Sequence, residues 1–275
     1  MGYILFIFCL LLPVAGMVAG AADYQGTIRL GGTGGAHGLM TQVTAAFQKK
    51  HPEVRFLFSP SLGSTGGIKA ALARALDLGL SARALTAEEL RQGAVAVAYG
   101  RTPMMLVTSH KGVKMNFTLE QIASLYAGDL KSYADKTPIR LILRPLADSD
   151  TDFLLGLSPQ VAAAFRKAQA REGMIVAVND QDNAMAMEKI KGAMGWITLA
   201  QVLSEKVPVT PLTIGNIMPS LETMAAGAYP YYKSFSVVTG AKPTPLAQAF
   251  IGFLTSIEAR EILLQNGLLA EDKRP

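Results

Sequence analysis

The chain is poor in the residues that carry the most distinctive chemistry. Its 275 residues include a single cysteine, Cys9, three histidines and one tryptophan, and only 17% of them are charged. Cys9 lies in an apolar N-terminal run, so the rest of the chain has no thiol for a disulfide, for catalysis or for a metal site. No histidine pair has metal-ligand spacing, and no Gly-x-Ser-x-Gly elbow is present. We therefore expect a protein that is not an enzyme and that carries no metal or cofactor.

The N-terminus has the pattern of an export signal. Residues 4–18 are nearly all apolar, and the small residues 19–22 follow them. An apolar core followed by small residues is typical of a signal peptide, so we predict that residues 1–22 are removed before Asp23. The alternative is an uncleaved anchor, although Pro13 interrupts a run that is short for a span of about 20 residues. Either way, we expect the protein to be periplasmic or secreted.

The charge pattern favours an anionic partner other than a nucleic acid. The net charge is +5, and the basic residues are spread along the chain without a long Lys/Arg block. Nucleic-acid binding usually requires such a block or a basic stripe, so we expect no nucleic-acid partner. Half of the residues are apolar, which is enough for a sizeable buried core.

Apolar patterns of strand and helix type alternate along the chain. This alternation predicts an α/β fold with largely parallel sheets. Strands are predicted at residues 27–30, 54–58, 78–81, 95–98, 104–108, 139–143 and 234–238. Helices are predicted from residue 39 to about 51, over 68–76, from Thr118, from Phe153 and over 245–264.

Three turns rich in Gly, Ser, Thr and Asp each follow a strand and precede a helix. They lie at residues 31–38, 61–67 and 148–151. The first N–H groups of a helix have no partner within it, and small residues let an anion approach them closely. Ordinary helix caps would look the same at any one turn. Three such turns, with Arg144 at a strand end beside the last, favour an oxyanion site.

Four of these segments, in this order, resemble motifs of the phosphate-binding proteins of phosphate ABC transporters. Gly34–His37 and Gly63–Lys69 are similar to the two phosphate loops of that family, and Leu76–Ser81 is similar to the segment with its ligand aspartate. Arg144–Thr151 is similar to its arginine and hydroxyl loop. The resemblance covers most of the chain beyond the predicted signal. It implies the type II periplasmic-binding-protein fold.

In that fold, two lobes close on a ligand. The resemblance implies one lobe over residues 23–102 and 233–275, and a second over 103–232. It further implies a monomer that captures phosphate or a closely related oxyanion and delivers it to an ABC transporter permease in the membrane. Two alternatives remain open: a clamp-fold sensor that signals to a membrane partner, and a binding protein for a different oxyanion or an organic phosphate.

The resemblance also implies a set of ligand-binding residues. Arg144 would supply bidentate charged donors, and Asp77 would accept a proton from phosphate and so reject sulfate. The full set is Gly35, Ala36, His37, Ser64, Thr65, Gly66, Asp77, Arg144, Asp148, Ser149 and Thr151.

The chain departs from the family pattern at several of these positions. Ala36 stands where a hydroxyl residue is usual, and His37 is either a plain helix-start residue or a compensating donor. Asp148 and Asp150 replace the usual serine and glycine. They would repel an anion by roughly 1 kcal/mol each, or they cap the helix and face solvent, or the ligand is not plain phosphate. The run 179–183 is a helix-start turn that either lines the cleft or forms a solvated cap.

Overall fold

The computed structural model describes residues 24–271, so the predicted signal, residues 1–22, lies outside it. Within the described range, no helix combines the length and the apolar character that a membrane span requires. The strands are β1 (Gly26–Gly32), β2 (Val54–Phe58), β3 (Leu78–Ser81), β4 (Val95–Thr108), β5 (Asn116–Phe117), β6 (Arg140–Leu143), β7 (Ile175–Val176), β8 (Ala193–Thr198), β9 (Thr210–Pro211), β10 (Thr213–Ile214), β11 (Tyr232–Thr239) and β12 (Leu269–Ala270). The helices are α1 (His37–Lys50), α2 (Gly63–Leu72), α3 (Ala87–Arg91), α4 (Leu119–Ala127), α5 (Ser149–Leu155), α6 (Pro159–Gln169), α7 (Asp180–Lys189), α8 (Leu199–Glu205), α9 (Leu221–Ala225), α10 (Pro245–Leu254) and α11 (Ile257–Gln265).

The main sheet is mixed and follows the order β2-β1-β3-β11-β4-β8-β6-β7, with β9 and β12 also paired to β4. β1 is parallel to β2 and β3, and β6 is parallel to β7 and β8. β11 and β4 are antiparallel to each other, and β4 is antiparallel to β8. The predicted α/β class is confirmed.

Strand β4 corrects one prediction. Two strands were predicted, at 95–98 and 104–108, but one continuous strand covers Val95–Thr108. The intervening residues include Gly100 and Pro103, which do not favour a strand locally. Pairing with β11 along this segment keeps their backbone extended.

The buried apolar residues form two separate bodies, and β4 passes from one to the other. The first core draws on residues 28–99 and 235–268, together with Ala200 of α8. The buried members of two further clusters all fall between residues 104 and 229. We call these bodies lobe 1 and lobe 2. The predicted lobe boundaries, between residues 102 and 103 and between 232 and 233, stay a prediction.

Helix boundaries follow local capping chemistry. The helix predicted from Thr118 is present as α4, and Thr118 and Gln121 form a capping box at its start. The long helix predicted over 245–264 is instead two helices, because the side chain of Ser256 accepts from Ala259 N and starts α11. Asp148 caps α5 in the same way, so that helix begins at Ser149, earlier than the predicted Phe153.

Candidate functional site

Loops at the carboxyl ends of parallel strands face each other across the cleft between the lobes. In lobe 1 the turn Thr33–Ala36 follows β1, and α2 begins shortly after β2. In lobe 2 Arg144 follows β6, and α7 begins shortly after β7. Ligands of α/β proteins usually bind at this edge of a sheet, because backbone N–H groups and short polar side chains converge there.

Five charged side chains meet in this cleft, and we call them the interlobe cluster. They are Arg144, Lys233, Asp148, Asp150 and Asp180, of which Arg144 and Lys233 are only 4% and 5% exposed. Arg144 Nη2 donates to Asp148 Oδ2 at 2.7 Å and to Asp180 Oδ1 at 3.2 Å. Its Nη1 donates to the carbonyl oxygen of Ala177 at 3.3 Å, which fixes the guanidinium against lobe 2.

The second cation of the interlobe cluster is Lys233, which belongs to strand β11. Its ammonium group donates to Ser149 Oγ at 2.8 Å and to the Asp150 carboxylate. Ser149 Oγ in turn accepts from Ser64 Oγ at 3.4 Å, across the cleft from lobe 1. The hydroxyl of Ser64 is also fixed within lobe 1, because it accepts from Ala82 N at 2.9 Å. The lysine therefore links the two hydroxyl-bearing helix starts, α2 and α5.

Asp180 is the carboxylate that bridges the lobes directly. Its Oδ2 accepts from the backbone N–H of Gly35 at 2.9 Å and from the hydroxyl of Thr33 at 3.2 Å. Both donors belong to the turn after β1 in lobe 1, whereas Asp180 begins α7 in lobe 2. The carboxylate thus accepts from lobe 1 donors that could bind an anion, and it also pairs with Arg144 of lobe 2.

The electrostatics of the interlobe cluster are unbalanced, since three carboxylates face two cations. Burial and the nearby Asp150 raise the pKa of Asp180, although Arg144 opposes the shift. Burial also favours the neutral form of Asp150, but Lys233 and Arg144 outweigh it and lower the pKa of that carboxyl. The surroundings therefore stabilise the ionised form of Asp150 and disfavour the ionised form of Asp180.

Some polar atoms at the cleft have no protein partner. Among the residues that the structure describes, Arg144 Nε, Ser61 Oγ and Gln181 Oε1 are buried without a hydrogen bond. Asp150 Oδ2 lies 3.7 Å from Arg144 Nε, which is beyond hydrogen-bond distance. Buried polar atoms are rarely left unpaired, because each costs about 1–3 kcal/mol. The unpaired guanidinium N–H marks a place where an additional acceptor would be stabilised.

A cavity of about 320 Å³ opens next to the cluster. Residues 61–65 of lobe 1 line one side, and residues 145, 147–149 and 178–179 of lobe 2 line the other. The cavity gives solutes a path from solvent towards Ser64 and Ser149.

The geometry is that of a binding cleft between two α/β lobes, and comparison with known proteins agrees. The PBP superfamily domain model matches residues 18–258. The chain belongs to the PBP superfamily. Among curated proteins, it is 21% identical to the phosphate-binding protein PstS of Borreliella burgdorferi, over 90% of this chain and 91% of that protein.

Solved structures of this fold include proteins for several oxyanions. A phosphate ABC transporter substrate-binding protein from Clostridium perfringens, with bound phosphate, matches with a TM-score of 0.77 and 21% identity over 90% of this chain and 100% of that chain. The periplasmic molybdate-binding protein of Azotobacter vinelandii matches with a TM-score of 0.62 and 16% identity over 89% of this chain and 100% of that chain. At these identities the structural likeness establishes the two-lobed fold.

The structure brings five of the predicted site residues to the cleft contacts described above. Four contribute side chains and one contributes a backbone N–H. They are Arg144, Asp148, Ser149, Ser64 and Gly35.

Asp77 is not among them, and its placement corrects the expectation. It precedes β3, whereas the cleft lies at the other end of that strand, roughly 13 Å away at 3.3 Å per residue. Its carboxylate accepts from the backbone N, Nε and Nη2 of Arg29 at 2.8–3.1 Å. Burial would raise the pKa of Asp77, but these hydrogen bonds outweigh it and lower that pKa. Asp77 is therefore a structural partner of Arg29 within lobe 1.

Two residues of the first loop also turn away from the cluster. Ala36 is fully buried in the core of lobe 1, so its methyl group packs there. His37 begins α1 and packs its ring against Phe58, with the ring centroids 4.9 Å apart. His37 thus fits the helix-start alternative and does not replace a hydroxyl donor at position 36.

The remaining three predicted residues support the cleft from its sides. The hydroxyl of Thr65 accepts from Arg83 and lines the 320 Å³ cavity. A Cβ at Gly66 would lie 2.9 Å from that of Leu62, so this glycine serves packing. Thr151 is fully buried and donates to the carbonyl oxygen of Arg144 at 3.2 Å, which positions the arginine backbone.

The structure adds two residues that were not predicted for the site, Asp180 and Lys233. Asp180 lies in the 179–183 run, for which both a cap and a cleft role were open. The two roles belong to different residues, because Asn179 caps α7 and Asp180 enters the cleft. Lys233 gave no local signal, since a single lysine at the start of a strand is usually solvated. For Asp150, the solvent-facing alternative is wrong, because the residue is buried against Lys233.

Proposed function

We propose that the protein is an extracytoplasmic solute-binding protein that captures phosphate or a closely related oxyanion between its lobes. The observation that carries the proposal is the convergence of two buried cations, Arg144 and Lys233, with hydroxyls from both lobes at one cleft. Arg144 Nε, which lacks an acceptor, gives a bound oxygen a charged donor there. The similarity to phosphate-binding proteins supports the choice of ligand.

The acidic members of the cluster narrow the ligand class. Asp148 and Asp150 disfavour a fully ionised dianion such as sulfate, because no proton is available to bridge carboxylate and ligand. A phosphate oxygen that keeps its proton can donate to one of these carboxylates. We therefore assign discrimination against sulfate, which the family resemblance implied for Asp77, to the interlobe cluster.

The available donors are sufficient for useful affinity. Micromolar binding requires about −8 kcal/mol. Charge-assisted hydrogen bonds contribute about 1.5–3 kcal/mol each, so four or five of them suffice even after the lobes are ordered. Arg144, Lys233, Ser64 and Ser149 supply that number of donors.

The remaining parts of the proposal concern the setting of the protein. Residues 1–22 would direct export and then be removed, which leaves a monomer in the periplasm or outside the cell. Closure of the lobes would present the anion to an ABC transporter permease in the membrane. The cluster has the features of a clamp for an unchanged solute, so we assign it no catalytic step.

Calorimetric titration tests the proposal. The protein, unfolded and refolded to remove co-purified solute, is titrated with phosphate, arsenate, molybdate, sulfate and small organic phosphates at pH 7. We expect micromolar or tighter binding of phosphate and little heat from sulfate. Folded protein that binds none of these oxyanions would refute the proposed function. Tighter binding of an organic phosphate than of inorganic phosphate would instead identify the ligand as an organic phosphate.

A further inference from the structure

Asp180 uses Arg144, which the proposed anion site shares, and two further donors of the kind that an oxyanion binds. Its carboxylate accepts from Gly35 N at 2.9 Å, from Thr33 Oγ1 at 3.2 Å and from Arg144 Nη2 at 3.2 Å. A carboxylate and an oxyanion make the same charge-assisted hydrogen bonds, so they compete for these N–H and O–H groups. We infer that Asp180 is an internal competitor of the anion, which latches the two lobes together and leaves the donors when the anion binds.

The packing between Gly34 and the start of α7 leaves no space for an anion. Gly34 lies directly against the start of α7: a Cβ at that position would be 2.2 Å from Gln181 Oε1 and 2.9 Å from Asp180 Cβ. Where not even a methyl group fits, a tetrahedral anion cannot enter. Access to Gly35 N therefore requires the start of α7 to withdraw from the turn after β1.

A second side chain strengthens the latch. Gln181 Nε2 donates to the carbonyl oxygen of Gly34 at 3.0 Å and to Glu205 of α8 at 3.2 Å. Two consecutive residues of α7 thus hold the same lobe 1 turn, one through an N–H and the other through a carbonyl oxygen. Such paired contacts at a cleft suit a hinge motion, because they break together when the lobes separate.

The charges also favour an anion that replaces Asp180 over an anion that binds beside it. Asp148, Asp150, Arg144 and Lys233 surround Asp180, and together the five groups carry one net negative charge. A monoanion added beside Asp180 would double that charge in a buried site, whereas a monoanion that replaces it leaves the charge unchanged. Burial and Asp150 disfavour the ionised form of Asp180, which makes this carboxylate easier to displace.

Two substitutions of Asp180 test the latch. Asp180→Ala frees all three donors, and Asp180→Asn keeps the shape but removes the charge. Asp182→Asn is the matched control, since Asp182 lies in the same helical turn but contacts Asn179. All are expressed from the full coding sequence, stripped of solute and compared with wild type by phosphate titration and by small-angle X-ray scattering.

We expect Asp180→Ala to bind inorganic phosphate at least tenfold more tightly than wild type, with Asp180→Asn between them. Without phosphate, Asp180→Ala should have a larger radius of gyration than wild type, and phosphate should reduce it. Asp182→Asn should match wild type in both measurements. Unchanged affinity and radius in both Asp180 variants would overturn the inference. So would weaker phosphate binding with lost discrimination against sulfate, because Asp180 would then accept the proton of the ligand.

The identity of the displacing ligand rests on the proposed function, whereas the latch is read by scattering alone. If no form binds phosphate but Asp180→Ala expands, the proposed function fails and the latch stands. If wild type binds phosphate and Asp180→Ala neither expands nor binds more tightly, the function stands and the latch fails.

Discussion

Two arginine–aspartate contacts in this protein use the same chemistry in different surroundings. Arg29 meets Asp77 within lobe 1, and its side chain is 46% exposed. Arg144 meets Asp148 and Asp180 at the cleft, and its side chain is 4% exposed. Arg29 Nε and Nη2 both donate to the Asp77 carboxylate, whereas Arg144 Nε has no hydrogen-bond acceptor.

The difference shows which contact can respond to a ligand. The Arg29–Asp77 pair joins β1 to the residue that precedes β3 in the same lobe, so lobe motion does not change it. The partners of Arg144 lie in lobe 2, but one of them, Asp180, also accepts from Thr33 and Gly35 of lobe 1. These contacts are buried, where charge interactions are weakly screened. A solvated and self-contained pair contributes little to stability, whereas loss of one partner from a buried cluster costs much more.

Substitution of Arg144 should have the largest effect. Arg144→Ala leaves three carboxylates facing one cation, so we expect the free energy of unfolding to fall by about 3–5 kcal/mol. On the protein that remains folded, phosphate affinity should fall by at least about 2 kcal/mol, because charged donors are lost from a buried site. Urea unfolding and calorimetry measure the two effects.

Arg140→Ala is the control for Arg144, because Arg140 begins the same strand and is exposed. It should leave phosphate binding unchanged and stability nearly so. Arg144→Lys keeps the charge but not the forked geometry, and serves as the second variant if Arg144→Ala does not fold. Wild-type phosphate affinity in both Arg144 variants would remove this arginine from the site.

Substitution of Lys233 should have an intermediate effect. Lys233→Met keeps the length of the side chain but leaves the buried Asp150 without its main cation, so phosphate affinity should fall about tenfold, or 1.4 kcal/mol. The pKa of Asp150, lowered in wild type, should rise. The stability deficit should therefore be largest at pH 7 and should shrink as the pH falls through the raised pKa of Asp150 in the variant.

Urea unfolding between pH 3 and pH 7 measures that deficit, with Lys242→Met at an exposed loop position as the control. A deficit that is independent of pH would mean that Lys233 acts through packing and not through Asp150.

Substitution of Asp77 should have the smallest effect. Asp77→Asn should change phosphate affinity by less than about twofold and leave discrimination against sulfate intact, because the residue lies at the far end of β3. Its pKa is lowered in the folded protein, so its contribution to stability is present at neutral pH and is lost as the pH falls below about 4. Reduced discrimination against sulfate in paired titrations would return Asp77 to the site.

Local sequence patterns predicted much of the fold. Strands β2 and β3 have the predicted bounds, and α4 is capped at the predicted Thr118, because apolar patterns and cap side chains act over a few residues. Predictions failed where distant pairing decides. Pairing with β11 holds Gly100 and Pro103 in one strand, although neither residue favours it.

For the candidate site, the chemistry of the turns follows from the residues that form them. Glycine, serine and aspartate at the strand ends, with Arg144 beside them, specify exposed donors and one buried cation wherever the chain folds as α/β. The tertiary structure alone decided which charges meet. Asp77 and Asp180 have the same side chain, but strand direction places Asp77 at the end of β3 that is remote from the cleft and Asp180 in the cleft. Contacts between residues far apart in the chain depend on topology, so no local pattern distinguishes the two aspartates.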